Sequence, residues 1–231
     1  MNTYRKTAVI VGILFIIGTV AGILSVVFTG PILGDPDYLV KISANESQII
    51  IGAFLILTMG FALVMVPVML FPFLKKYNEI LALGAFVFRG VLEAVCYILS
   101  ANNLLFLILL SREYVKAGAP EASYFQTLGA ILLEADTYIM NSMIGIVFPI
   151  GALMIYYLFY QSKLIPRWLS AWGFLGAIPY LASFLLGFFG FELGILVLPL
   201  AVQEMVMGVW LIVKGFNASA LASWAAKTEH A

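Results

Sequence analysis

Histidine and cysteine are almost missing from this chain, and their scarcity removes whole classes of chemistry. The one histidine, His230, is the penultimate residue, and the one cysteine, Cys96, stands inside an apolar run. Haem ligation by histidine, histidine-based zinc sites and Ser-His catalysis all lack their essential group. A lone cysteine provides neither an intrachain disulfide nor a thiolate metal cage. No lysine falls in the middle of an apolar run, which argues against a Schiff base of the retinal type. No glycine-rich phosphate loop follows a strand, since no strand-like stretch exists, so ATP is not expected. No cofactor and no metal site are expected, and no catalytic set is assigned.

Charge is scarce as well. Only 10% of the 231 residues are charged while 63% are apolar, and mean hydropathy is +1.07. A soluble domain could not cover that much hydrocarbon with so little polar surface, so the expected solvent is the lipid bilayer. Twelve basic and twelve acidic residues cancel to a formal net charge of zero. No basic field exists to attract nucleic acid, which is excluded as a partner.

What the chain has in abundance is long apolar runs. Stretches able to cross a hydrocarbon core of about 30 Å, at a helical rise of 1.5 Å per residue, recur six times. They lie near residues 8–28, 48–71, 80–110, 128–160, 168–190 and 194–214. The expected fold is therefore all-α: a polytopic integral membrane protein, a six-transmembrane-helix bundle forming one membrane domain over residues 1–231. Arg5 and Lys6 before the first run imitate a signal peptide, but the run is too long for a signal core and no clean cleavage site follows. The first run reads as a retained helix.

Basic residues set the expected orientation. With the amino terminus cytoplasmic, the inner segments carry Arg5, Lys6, Lys75, Lys76, Lys163, Arg167, Lys214 and Lys227, and the outer loops only Lys41, Arg112 and Lys116. That asymmetry predicts both termini cytoplasmic. Trp168, Trp172, Tyr156, Tyr157 and Tyr160 gather at the same inner end, as an interfacial aromatic belt would.

The loops are too short to fold alone. Gly30, Pro31, Gly34 and Pro36 mark the first outer loop as a run of turns, and Asp35 and Asp37 within it read as solvated, because a hard cation needs more oxygens. A short interfacial helix fits the second outer loop, SREYVKAGAPEASYFQ. Asn45-Glu46-Ser47 matches the glycosylation triplet, a pattern frequent by chance. Gly18 and Gly22 permit close helix approach, used either within the chain or on a homo-oligomer face. Pro67, Pro149, Pro179 and Pro199 should kink spans and release carbonyls.

Polar residues inside the spans are the functional candidates. Arg89, Glu93, Cys96, Tyr97, Ser100 and Asn103 recur within the third run, in an arc of about 120° at roughly 100° per residue. Ionisable groups at that depth are costly and mark function. Glu93 follows Arg89 by four residues, the spacing of an intrahelical ion pair. On the fourth run Glu134, Tyr138 and Asn141 share a face with Gly145, and Asp136 falls about 200° around from Glu134, so one of the two acids turns inward. On the sixth run Glu204, beside Gln203, lies near mid-membrane and must turn from lipid. Arg89 alone cannot neutralise Glu93, Glu134 and Glu204. Either some acids stay protonated, or a small cationic solute, proton or metal ion completes the balance.

The segment YQSKLIPRWLSAWGFLGAIPYLA resembles a signature of the bacterial membrane family called domain of unknown function 4386. Leu164, Ile165, Pro166, Arg167, Trp168, Leu169, Gly173, Gly176 and Tyr180 carry the match, and FRGVLEAVCYIL, with Arg89 and Glu93, is similar to that family's Arg-x-x-x-Glu helix. Proline stands at 179, where the family pattern has glycine. The resemblance spans roughly Tyr4 to Lys214; it implies a six-helix protein of the bacterial cytoplasmic membrane and no activity.

Three functions fit these residues. The leading one is binding or transport of a small cationic or proton-linked solute through an acid-rich cavity of Arg89, Glu93, Tyr97, Ser100, Asn103, Glu134, Tyr138, Asn141 and Glu204. The second is a lipid-modifying intramembrane enzyme with a carboxylate beside Tyr97 or Ser100, though no spacing demands an enzyme. The third is a non-catalytic structural or partner protein whose charges only join helices. Orientation is testable directly. In a Cys96→Ser background, Lys163→Cys in everted vesicles and Lys41→Cys in intact cells should each react with an impermeant maleimide; the reverse pattern would invert the topology.

Overall fold

The structure, a computed structural model, describes residues 3–120, 124–191 and 193–222, with the side chains of Asn141 and Ser142 outside the described ones. His230 and Lys227 also lie outside the described residues. The described residues are helical, with no strand among them. Six helices are long and apolar enough to cross a membrane: α1 Thr3–Leu33, α3 Glu46–Leu74, α4 Glu79–Lys116, α5 Tyr124–Ser162, α6 Arg167–Gly187 and α7 Gly194–Val213. A short α2, Tyr38–Ala44, precedes α3.

Each boundary has a local cause. Asn78 opens α4, its side chain accepting from Leu81 N–H at 3.0 Å, and Glu79 places negative charge in the first turn. Pro166 precedes α6 at its amino end, where a missing N–H costs nothing. Gly118 and Gly215, at φ of 84° and 76°, end α4 and α7 in the left-handed region that disfavours a Cβ. Helices α1, α3, α4 and α5 overrun the expected spans because terminal polar residues continue the helical hydrogen bonding, notably Ser111 to Lys116 on α4, whereas α6 stops at Gly187 and α7 at Val213, short of the expected 190 and 214. That extension takes the place of the interfacial helix expected in the second outer loop. The first outer loop, read as turns alone, contains α2 because Leu39 and Ile42 can bury one side of it.

The chain divides into two compact units. The first comprises residues 1–16, 62–93 and 145–231, the second residues 17–61 and 94–144.

In the first unit α1 and α7 meet through glycine: a Cβ on Gly12 would stand 2.5 Å from the Gly208 carbonyl oxygen. Arg5 then reaches the carboxyl end of α7, donating to the carbonyls of Leu211, Ile212 and Val213 at 3.2, 2.6 and 3.0 Å. These carbonyls have no helical partner, and a cation there also favours the helix dipole. Gly176 lets α6 approach the backbone of Leu200, and Gly173 seats the Tyr156 ring. Gly151 of α5 faces α4 so closely that a Cβ would lie 2.7 Å from the Arg89 backbone nitrogen.

In the second unit Ser25 donates to the Gly52 carbonyl at 3.0 Å and Gln48 to that of Phe28 at 2.9 Å, joining α1 to α3. Gly22 lies against the Met59 thioether, so this glycine serves packing within the chain. Arg112 holds Glu46 through two bonds of 2.6 Å, and Ser111 donates to the Leu39 carbonyl, anchoring α2. Tyr38, Leu39, Tyr114 and Phe125 pack together there. Asp35 and Lys41 pair at the surface, and that hydrogen bond holds the Asp35 carboxyl below its ordinary range.

Many large apolar side chains stay exposed, among them Phe54, Phe61, Phe106 and Leu175, a surface suited to hydrocarbon. Packing at the two glycines should respond differently. Gly12→Ala meets rigid backbone and is expected to destabilise by about 1–3 kcal/mol, whereas Gly22→Ala meets a flexible methionine and should lose less. Thermal unfolding of the detergent-solubilised protein measures both; equal losses would contradict the close α1–α7 contact.

Candidate functional site

Arg89 occupies a π-helical turn, Phe86–Leu92, in which the Glu93 N–H reaches back to the Phe88 carbonyl. Such widened turns are uncommon and recur at functional sites. Gly90 in the same turn packs near Pro67, where a Cβ would lie 3.4 Å from the proline ring. The turn carries the Arg89 side chain into the interior of the first unit, where it is 2% exposed.

Two carboxylates receive it. Arg89 Nη1 donates to both oxygens of Glu93 at 2.9 Å, and Nη2 donates to Glu204 Oε1 at 2.8 Å. Phe148 lies against the guanidinium, 4.0 Å from ring centroid to central carbon, and Phe15 flanks it at 5.9 Å. Aromatic faces favour a cation, most where water is absent. The Tyr156 hydroxyl donates to Glu204 Oε1 at 3.5 Å, a long bond. Tyr180 stands edge-on to Phe148 with centroids 4.9 Å apart.

The two acids differ in access. The Glu93 side chain is 1% exposed and Glu204 12%. Both contacts to Glu204 fall on Oε1, so Oε2 has no hydrogen-bond partner among the described residues. One guanidinium and two ionised carboxylates sum to a charge of −1. Beside Glu204, Gln203 is fully buried; its Nε2 donates to the Leu169 carbonyl at 3.0 Å while Oε1 has no partner among the described residues.

The stripe read along the third run separates into two groups. Arg89 and Glu93 belong with Glu204 in the first unit. Ser100 and Asn103 belong to the second, where Ser100 donates to Asp136 Oδ1 at 2.6 Å and Asn103 Nδ2 to the Leu132 carbonyl at 2.6 Å. Tyr97 is buried against Gly60, which leaves room for its ring. Of the two α5 acids it is Asp136 that finds a partner, whereas Glu134 is exposed, as is Tyr138 at 55%. The physical reason is the donor: the Ser100 hydroxyl meets the Asp136 side of the helix. Asn141, expected beside them, has its side chain outside the described ones.

Tyr156, Phe148 and Phe15 join the site without having been expected there. Tyr156 looked like part of the aromatic belt, yet it is 1% exposed while Tyr157 and Tyr160 are 42% and 41% exposed. One residue of helical rotation separates a core tyrosine from a surface one. Phe148 and Phe15 carry no polar signal at all, so nothing in the sequence distinguishes them from packing residues.

Removing the cation should expose this balance. Arg89→Met is expected to destabilise by about 3–5 kcal/mol, because two carboxylates lose their partner. Adding Glu93→Gln and Glu204→Gln should recover most of the loss, as read from unfolding midpoints in a mutant cycle. An additive triple variant would refute the coupled site.

The chain matches the family described as Domain of unknown function (DUF4386) over residues 10–215, a stretch containing every site residue named above. No curated protein and no solved structure matches it. The Arg-x-x-x-Glu helix and the Leu-Ile-Pro-Arg turn thus lie inside the matched region, and the chain belongs to the DUF4386 family.

Proposed function

We propose that the Arg89–Glu93–Glu204 site takes up a proton or a small cation, and that the protein moves a small cationic or proton-linked solute across the bacterial cytoplasmic membrane. One observation carries this reading: Arg89 is shared between two carboxylates, and the more accessible of them, Glu204, keeps an oxygen without a partner among the described residues. A charge of −1 in a low-dielectric interior is costly, and either a proton on Glu204 or a bound cation removes it. The wide turn at Arg89 and the proline of α5 one residue beyond Phe148 supply helices able to rearrange around the site.

The distribution of basic residues supports an orientation with both termini cytoplasmic. Arg5, Lys6, Lys75, Lys76, Lys163, Arg167 and Lys214 all fall in the first unit, and Lys41, Arg112 and Lys116 in the second. This is the asymmetry expected when the first unit contains the cytoplasmic turns.

A second reading has an observation of its own. The 2.6 Å bond from Ser100 to Asp136 pairs a hydroxyl with a carboxylate, the arrangement a lipid-modifying enzyme would need to activate a nucleophile. Ser100→Ala would abolish such chemistry and leave solute movement intact.

Glu204→Gln tests the leading reading. The amide keeps a hydrogen bond to Arg89 but cannot ionise, so proton uptake by the protein in liposomes should fall at least about tenfold, with loss of one titrating carboxyl band in the infrared. Uptake and infrared titration equal to those of the unaltered protein would overturn it.

A further inference from the structure

One end of the first unit gathers cations. Arg5 of α1 bonds the last carbonyls of α7, the Asn217 N–H just beyond α7 donates to the Leu164 carbonyl in the α5–α6 turn at 2.8 Å, and the Tyr77 hydroxyl of the α3–α4 turn donates to the Ser162 carbonyl at 3.5 Å. Those contacts draw Arg5, Lys6, Lys75, Lys76, Lys163, Arg167 and Lys214 to the same end. Against them stands Glu79, the acid of that end among the described residues. Lys214 forms no ion pair among the described residues. Trp210 stands edge-on to Trp168 with centroids 6.1 Å apart, and Trp168 stacks on Trp172 at 6.4 Å. Tryptophans grouped at helix ends sit at the level of lipid headgroups.

Two hollows meet at this corner, and Trp210 and Lys214 line both. The first, a recess of about 320 Å³, is walled by Pro166 at the amino end of α6 and by Gly215, Asn217 and Ala218 beyond α7. Its polar side chains offer donors: the Lys214 ammonium, the Trp210 indole N–H and the Asn217 amide nitrogen. The Asn217 amide is oriented by its oxygen, which accepts from the Ser219 N–H at 3.2 Å and the Ser219 hydroxyl at 2.9 Å. No carboxylate lines the recess among the described residues, so the chemistry it offers is that of an anion site. The second hollow, about 420 Å³, follows α7 past Val213, Val209, Val206 and Met205 and is apolar. From Lys214 back to Met205 a helix rises roughly 14 Å, close to one leaflet of a hydrocarbon core about 30 Å thick.

We propose that the two hollows together hold one anionic phospholipid, its phosphate in the recess with Lys214 and Asn217 and an acyl chain along α7 against Val209 and Val213. A free phosphate would fill the recess and leave the groove idle. A zwitterionic lipid would fill the groove but carry its own cation to a corner already rich in cations. Charge therefore selects the headgroup, and the groove selects a lipid. The site uses none of the Arg89, Glu93 or Glu204 groups, and a lipid seated there ties the start of α6 to the end of α7.

The test uses the full chain in dodecyl maltoside micelles at fixed pH and ionic strength, with phosphatidylglycerol, phosphatidylcholine and glycerol phosphate as probes. A ligand that binds only the folded protein raises its unfolding midpoint. Phosphatidylglycerol should act at a concentration about fivefold lower than phosphatidylcholine, the worth of one lysine at an anionic surface, and glycerol phosphate should not act. Lys214→Gln should erase that preference. Lys75→Gln, which removes a cation of the same end outside both hollows, should keep it. Dibrominated phosphatidylglycerol should also quench tryptophan fluorescence more than dibrominated phosphatidylcholine at equal mole fraction, and Trp210→Phe should remove the excess.

Equal action of the two lipids would overturn the proposal and leave a groove that accepts any lipid. Glycerol phosphate acting at the same concentration as phosphatidylglycerol would overturn it in favour of a free-phosphate site. Equal losses in Lys214→Gln and Lys75→Gln would overturn it in favour of a diffuse basic surface. Should Lys214→Gln fail to fold, the quenching comparison between the unaltered protein and Trp210→Phe decides by itself.

Discussion

The buried guanidinium of Arg89 is the constraint around which the first unit is arranged. A cation at 2% exposure needs charge and hydrogen bonds delivered to it, and Glu93 supplies both from one turn along the same helix. That pair alone would be neutral and self-contained. Glu204 makes the third contact from α7, so the helix nearest the carboxyl end of the described chain is tied to α4 through charge. In an apolar surrounding such a contact has no water to compete with it, and little freedom to fail.

The backbone is adapted to that requirement. A π turn spreads the residues around Arg89, and Gly151 removes the side chain that would otherwise collide with its backbone. Phe148 occupies the face of the guanidinium, completing its surroundings with an aromatic ring in place of water. Small residues elsewhere, Gly12 against Gly208 and Gly176 against Leu200, bring helices near enough for short polar side chains to meet. The outcome is polar pairing within a mostly apolar chain, in two separate groups: Arg89 with its acids in one unit, Ser100 with Asp136 in the other.

Much of this was legible in the residues and some was not. The six runs correspond to the six long helices, because apolar length is a local property. The Arg89–Glu93 pair was legible because four residues separate partners on one helix. Glu204 was legible as a residue that must turn inward, though not that Arg89 would be what it meets. The choice between Glu134 and Asp136 was not readable, since each stands among apolar neighbours and only the position of Ser100 separates them. Nor was α2, whose seven residues are too short for a periodic signal and are held by Ser111 and the Leu39 cluster.

Taken alone, the amino-acid sequence determined the solvent, the number of long helices and the presence of more intramembrane acid than base. Each of these depends on composition or on spacing along one helix. Tertiary structure decided which acids share the arginine, that Tyr156 faces the core while Tyr157 does not, and that the Gln203 oxygen has no donor among the described residues. Those outcomes depend on the rotation and approach of helices far apart in the chain. A single residue of helical rotation moves a side chain by about 100°, from lipid to the interior, and no local pattern records it.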